Sequence, residues 1–269
     1  MQTIESLTQR RSRPKLGGLA GTMLAIVAGM SVVVGAAHGP SQTLSGPVIF
    51  CASRVIIVDT SSSDRSPELA NFADRAINAA AESAVVCGTS LAVYGVAGGG
   101  AETTIVTTDN LAGFTPFGPT PQIRALRFSA TRQSELDRFV SFRLRLTYDA
   151  GDPRVTSVTA LYWAASQYLT RGVQVLLITD GVNEDSQVNL NRPLATGDGA
   201  QLAHTLSVSS LRGAIVTVVG LAQVDAGDAP PSTQWPDEIW SFSATLCHKA
   251  KASRCRLFAV ASVSQSLNA

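Results

Sequence analysis

The hydrophobic positions of this chain fall into two kinds of segment that follow one another almost to its end. Short continuous apolar runs rich in β-branched residues predict buried strands, and longer segments with apolar residues three or four positions apart predict helices. The predicted strands cover residues 55–58, 91–96, 103–107, 173–179, 214–221 and 256–260. The predicted helices cover residues 67–84, 134–148, 158–169, 202–211 and 239–251.

Two segments depart from this simple pattern. Residues 134–148 begin like a capped helix, but their second half, FRLRLTY, alternates with period two like a half-buried strand, and we assign a helix. Residues 109–128 are rich in proline and glycine, which predicts irregular structure. The glycines after residue 96 predict a hairpin that joins the second and third strands.

Strands that alternate with helices through most of a chain predict an α/β fold, namely a doubly wound, mostly parallel, Rossmann-like sheet with helices on both faces. In such sheets the ligand crevice lies beyond the carboxyl ends of the strands. Polar residues that directly follow a predicted strand are therefore the first candidates for a functional site.

The N-terminal part of the chain predicts one transmembrane helix before this domain. Residues 17–37 carry no charged side chain and are long enough to cross a bilayer, and residues 1–16 form a basic tail that is expected to stay in the cytoplasm. Residues 38–47 then form a short tether, residues 48–262 the folded domain outside the cytoplasm, and residues 263–269 a C-terminal tail. The alternative is a cleaved signal peptide that releases a secreted protein, because Val34 and Ala36 fit the small-residue rule before a cleavage site.

The length and net charge of the chain limit the number of domains and the class of binding partner only slightly. The 269 residues suffice for one sizeable domain but are few for two, and a net charge of +1 gives no reason to expect nucleic-acid binding.

A set of small oxygen-bearing side chains follows the predicted strands and opens one predicted helix. Asp59, Ser61 and Ser63 come from the DTSSS stretch after the first strand, Thr156 precedes the helix at 158–169, and Asp180 follows the strand at 173–179. Carboxylates and hydroxyls are hard donors that suit Mg²⁺, with Mn²⁺ or Ca²⁺ as alternatives. We therefore predict one divalent-cation site at the carboxyl ends of the strands.

This combination resembles the metal-ion-dependent adhesion site of the von Willebrand factor A domain, over roughly residues 50–262. The resemblance implies that Ser61 and Ser63 bind the cation directly, that Thr156 binds directly or through water, and that Asp59 and Asp180 act largely through waters. It also implies a protein partner whose carboxylate completes the coordination. Thr159 competes with Thr156, since the Gly-Gly that often precedes the family's threonine is absent here.

The four cysteines are expected to form disulfides if the domain lies in an oxidising compartment, and buried free thiols are the alternative. In the predicted fold, all four lie toward the edge of the sheet opposite the cation site. This placement predicts the pairs Cys51 with Cys87 and Cys247 with Cys255.

Three functions remain open at this stage. We favour a membrane-anchored binding module without enzymatic activity, which binds a protein partner through the cation. A metal-free structural domain of the same fold is the second possibility. A hydrolase is the least favoured, because no GxSxG motif is present and only His204 and His248 follow the tether.

Overall fold

A computed structural model describes residues 51–61, 66–97, 102–150, 157–170, 172–185, 187–223 and 230–259. The strands are β1 (Arg54–Asp59), β2 (Leu91–Val96), β3 (Glu102–Thr107), β4 (Gln174–Ile178), β5 (Ile215–Val219) and β6 (Arg254–Phe258). The helices are α1 (Pro67–Cys87), α2 (Thr108–Leu111), α3 (Pro121–Arg127), α4 (Ala130–Ala150), α5 (Val158–Gln167), α6 (Asp198–Thr205) and α7 (Trp235–Lys249), and a 3₁₀ turn covers Ala112–Phe114.

The described strands form one sheet of six in the order β3-β2-β1-β4-β5-β6. Every neighbouring pair is parallel except β2 and β3, which form the predicted antiparallel hairpin. The predicted α/β class with a mostly parallel sheet is thus confirmed. We call the edge where the parallel strands end the carboxyl edge, and the edge where they begin the amino edge.

Both faces of the sheet are covered, which explains why the central strands read as continuous apolar runs. On β1, Val55 and Ile57 point into one core with α5, α6 and α7. Ile56 and Val58 point into the other core, with α1 and α4. The sheet therefore separates two hydrophobic layers and holds its strand ends rigidly.

Helix α1 shows how local sequence sets the element boundaries. Ser66 accepts a hydrogen bond from the backbone N–H of Leu69 at 3.2 Å, and Pro67 takes the first helical position. The helix ends at Gly88, whose φ of 69° is the left-handed conformation that glycine adopts without strain.

Several predicted boundaries were wrong. Residues 109–128 are not irregular, since α2, the 3₁₀ turn and α3 lie there. Helix α6 begins at Asp198 and ends at Thr205, earlier than the predicted 202–211, and α7 begins at Trp235 rather than 239. The helix assigned to the ambiguous segment 134–148 is confirmed, and it lies within the longer α4.

Both predicted disulfides are present. Cys51 pairs with Cys87 and Cys247 with Cys255, with Cα–Cα distances of 5.4 Å and 6.3 Å. Cys51 precedes β1 and Cys87 ends α1, so this bridge fixes the entry of the chain at the amino edge.

The predicted anchor at 17–37 and the tether at 38–47 lie outside the described residues. Among the residues that are described, no helix combines the length and the apolar character needed to cross a membrane.

Candidate functional site

Asp59 and Asp180 lie side by side at the carboxyl edge, as the sequence predicts. Asp59 is the last residue of β1, and Asp180 follows the end of β4 by two positions. The two strands are paired in register up to Val58 and Ile178. The fold therefore brings together two carboxylates that are 121 positions apart in the sequence.

Asp59 is held in one orientation by hydrogen bonds to both of its carboxylate oxygens. The backbone N–H of Ser61 donates to Oδ1 at 3.0 Å, and the hydroxyl of Thr179 donates to Oδ2 at 3.0 Å. Asp59 is 3% exposed and Ser61 is fully buried. The first bond also folds the start of the DTSSS loop back over the carboxylate, which keeps Ser61 at the site.

Asp180 is fixed by its own loop. Its Oδ1 accepts a hydrogen bond from the backbone N–H of Val182 at 2.7 Å, and its carbonyl accepts one from the N–H of Ala222 at 2.8 Å. The intervening Gly181 has a φ of 78°, and a Cβ there would lie 2.6 Å from Leu221 Cδ2. Glycine is therefore required for Asp180 to turn into the crevice.

Two members of the predicted set, Ser63 and Thr156, lie outside the described residues, so their roles stay predictions. The competing Thr159 stands in the first turn of α5, where its hydroxyl lies 3.1 Å from that of Ser157. The start of α5 thus presents hydroxyl groups, and the choice between Thr156 and Thr159 is left to experiment.

Asn183 is a buried residue of the site region that the sequence analysis missed. Its Oδ1 accepts a hydrogen bond from the backbone N–H of Val158, the first residue of α5, at 2.9 Å. Its Nδ2 donates to the carbonyl of Val188 at 2.9 Å, and the side chain is fully buried. Asn183 therefore caps α5 from another element and ties the threonine-bearing segment to the loop that follows Asp180.

The polar loop at 182–199 follows Asp180 directly, and part of it is held in place by the rest of the domain. Trp235 Nε1 donates to the carbonyl of Leu190 at 2.7 Å, and the two carboxylate oxygens of Glu238 accept from the N–H groups of Gly197 and Gly199 at 2.9 Å and 2.8 Å. The described residues of this loop that are exposed to solvent are Glu184, Gln187, Asn189, Asn191, Arg192, Pro193, Ala195, Thr196 and Gly197.

The described part of the predicted set fits a hard divalent cation. Asp59, Ser61 and Asp180 offer only oxygen atoms, and the donors that hold the two carboxylates through the bonds above are neutral groups. Buried carboxylates are costly unless positive charge or hydrogen bonds compensate them, and the oxygen atoms of this set are compatible with a cation in that role. Within the described residues, no three histidine, cysteine, aspartate or glutamate side chains cluster to hold a metal ion, so this set depends on its hydroxyl groups.

No profile of a protein family matches the chain, and no curated protein sequence matches it. Among solved structures, it is similar to the conserved hypothetical protein BatB from Bacteroides thetaiotaomicron, with 12% identity, a TM-score of 0.38, and coverage of 81% of this chain and 97% of that one. An aerotolerance-related membrane protein from Bacteroides fragilis gives 13% identity, a TM-score of 0.39, and coverage of 81% and 98%.

The pilus adhesin SpaC from Lactobacillus rhamnosus GG, in an open conformation, gives 11% identity and a TM-score of 0.40, and the match covers 81% of this chain and 29% of the adhesin. Likenesses of this size assign neither a family nor a function. The fold class rests instead on the strand order and on the two cores described above.

Proposed function

We propose that the domain is a von Willebrand factor A-like binding module that holds one divalent cation at its carboxyl edge and uses it to bind a carboxylate of a protein partner. The observation that carries the proposal is the pair of buried carboxylates, Asp59 and Asp180, fixed on adjacent strand ends beside the buried Ser61. Mg²⁺ is the expected ion, since it prefers oxygen ligands and retains water that a visiting carboxylate replaces.

In this proposal each residue has a separate task. Ser61, with Ser63 and Thr156, would bind the ion through hydroxyl oxygens. Asp59 and Asp180 would supply the negative charge and orient bound water. The protein thus contributes fewer ligands than the ion requires, and the partner supplies the remaining oxygen.

The positions of the histidines favour binding over serine hydrolysis. His204 and His248 lie in the last turns of α6 and α7. Lys249, the neighbour of His248, donates to the carbonyls of His204 and Leu206 at the end of α6, so the two helix ends meet. Helix α6 starts in the loop that follows Asp180 and leads to β5, which begins at the amino edge, so both histidines lie away from Ser61.

The cation is tested first, by thermal unfolding of the full-length chain in detergent with Mg²⁺, Mn²⁺ or Ca²⁺ and with EDTA. An ion that binds only the native state stabilises it by about 2.7 kcal/mol at a hundred times its dissociation constant. Asp59→Ala and Asp180→Ala should abolish this gain. Asp109→Asn, a matched loss of an acid in α2 at the amino edge, should retain it. Equal melting with cation and with EDTA would support the metal-free structural domain.

The second test addresses the coordination position that the proposal leaves for the partner's carboxylate, and it uses the chain loaded with Mn²⁺. Added acetate should replace bound water and lower the relaxation rate of water protons, because fewer water molecules then exchange at the ion. If Mn²⁺ binds but acetate does not change the relaxation rate of water protons, the cation site stands and the carboxylate-binding mechanism is contradicted.

A further inference from the structure

Two large apolar side chains stand almost entirely in solvent at the amino edge of the domain. Phe117 is 89% exposed and Leu126 is 88% exposed. They belong to the segment between β3 and α4, in which Phe114 packs against Phe139 with ring centroids 5.7 Å apart. The partly buried Phe114 therefore anchors the segment to α4, whereas Phe117 and Leu126 do not take part in that contact.

Hydrogen bonds hold this segment in a fixed shape. The guanidinium of Arg124 donates to the carbonyls of Val86 and Cys87 at the end of α1 and to that of Gly118. Arg127 donates to the carbonyl of Phe117 at 3.0 Å. Phe117 and Leu126 are thus presented by neighbouring parts of one braced surface, which we call the amino-edge patch, consisting of Phe117, Leu126, Arg127 and Arg132.

The amino-edge patch lies beside the point where the preceding chain enters the domain. Arg124 bonds the carbonyl of Cys87 at 2.9 Å, and Cys87 is bridged to Cys51, the first described residue. Thirteen residues, 38–50, separate Cys51 from the end of the predicted anchor at Ala37. A random-coil segment of thirteen residues has a root-mean-square span of about 20 Å, so an anchor ending at Ala37 would hold this face close to a bilayer.

The charges of the patch suit a phospholipid surface. Arg127 and Arg132 are exposed beside the apolar pair. The guanidinium of Arg132 lies 5.5 Å from the ring centroid of Phe114 and forms an ion pair with the half-exposed Glu135 at 3.2 Å, so a lipid phosphate competes with that carboxylate. Arg254, the first residue of β6, adds a further exposed cation at the same edge. Phe and Leu favour the boundary between headgroups and acyl chains, and arginine binds anionic phosphate.

We propose that the amino-edge patch docks on the bilayer that carries the N-terminal anchor, with Phe117 and Leu126 inserted among the headgroups and Arg127 and Arg132 over anionic lipid phosphates. Two apolar side chains bind a membrane weakly on their own, but a short tether gives them an effective concentration on the order of millimolar. The inference rests on the proposed binding module being membrane-anchored, as the sequence predicts for residues 17–37. Docking fixes the orientation of the domain, so that Asp59 and Asp180 face away from the membrane, toward a partner in the space beyond.

The test uses the full chain in proteoliposomes of phosphatidylcholine, with and without phosphatidylglycerol. All four native cysteines are in disulfides, so a polarity-sensitive fluorophore can be attached at Leu126→Cys, and at Asn191→Cys as the matched control in an exposed loop of the carboxyl edge. We expect a blue shift and strong quenching by headgroup-labelled lipids at position 126 but not at 191. The quenching should increase with phosphatidylglycerol, and a Phe117→Ser change should reduce it several-fold.

Each other outcome has a distinct meaning. Equal emission and quenching at 126 and 191 would overturn docking, as would label-to-label energy transfer at 126 that reports pairing with a second copy. A chain released by alkaline extraction would refute the anchor and docking together. EDTA should leave the quenching unchanged, so failure of the cation site and failure of docking are distinguished.

Discussion

The hydroxyl of Thr179 donates a hydrogen bond to Oδ2 of Asp59 at 3.0 Å and so joins the ends of β4 and β1. The same hydroxyl accepts a hydrogen bond from the backbone N–H of Gly181 at 3.0 Å, within the turn that carries Asp180. One buried side chain therefore orients one carboxylate and the backbone beside the other. The Thr179 hydroxyl therefore supports the arrangement of the two acids in addition to the pairing of the strands.

Replacing Thr179 by Val should uncouple the two acids at nearly constant volume. The N–H of Gly181 and a carboxylate oxygen of Asp59 then lose a buried partner, which should lower the free energy of unfolding by about 1–3 kcal/mol. The thermal shift produced by Mg²⁺ should also shrink. Thr179→Ser keeps the hydroxyl and serves as control, measured by urea unfolding with and without the ion. Equal behaviour of the two variants would show that the hydroxyl has no such role.

The sequence predicts the positions of Asp59 and Asp180 because each follows an apolar strand that must end at the same edge. Thr179 and Asn183 could not be found in this way. Thr179 reads as one more β-branched strand residue, and Asn183 as part of a polar loop. Each has one partner more than 20 positions away, and only the folded chain brings that partner within reach.

Asn183→Ala should loosen the start of α5. The N–H of Val158 loses its acceptor and the carbonyl of Val188 its donor, both in a buried setting, so we expect a loss of about 1–3 kcal/mol in unfolding free energy. Asn191→Ala, the same change at an exposed position of the same loop, should stay within about 0.5 kcal/mol. Hydrogen exchange of the Val158 amide provides the local readout. Unchanged protection at that amide would contradict the capping role.

Gly181→Ala should be far more costly than Gly172→Ala, although the two glycines have nearly equal φ angles of 78° and 77°. Both changes place a Cβ in the left-handed region, at about 1–2 kcal/mol. Only at Gly181 does that Cβ also meet Leu221 and Ile239, whereas nothing lies within 4 Å of it at Gly172. Overpacking should add about 1–3 kcal/mol, measured as the difference between the two variants in urea unfolding. Equal losses of unfolding free energy in the two variants would mean that the backbone at residue 181 shifts to accept the Cβ without overpacking.

The errors of sequence reasoning in the segment 109–128 have a plain physical cause. Proline was taken as a sign of irregular structure, yet Pro121 occupies the first helical position of α3 behind a Thr120 cap, where its missing N–H costs nothing. In α4 the FRLRLTY stretch alternates with period two, yet the helix assigned there is correct. Leu136, Val140 and Leu144 are buried at intervals of four, which is the helical stripe that packs on the core.

A row of polar side chains lies between α1 and α4, on the solvent side of the hydrophobic core that the two helices share. Asp74, Asn78 and Glu82 recur at intervals of four on α1 and face Gln133, Asp137 and Ser141 on α4. Ser141 donates to Asp74 at 2.6 Å and Gln133 to Glu82 at 3.3 Å, so each of these two carboxylates accepts from its own neutral donor. Burial, followed by the neighbouring charge of Asp137, raises the pKa of Glu82, and burial followed by the charge of Asp74 raises the pKa of Asp137.

Asp137→Asn should therefore stabilise the protein at neutral pH. Between its ordinary pKa of 3.8 and its raised folded value, Asp137 binds more protons in the native state than in the unfolded state, so its contribution to stability falls as pH rises through that window. At pH 7 the variant should gain about 0.5 kcal/mol or less, because this group is largely solvated. The gain should vanish below the ordinary pKa, where both chains carry a neutral group. Glu135→Gln on the same helix, which removes an ion pair with Arg132, should show no such gain in urea unfolding across pH. A loss of stability in Asp137→Asn at pH 7 would show that its charge supports this row of polar side chains.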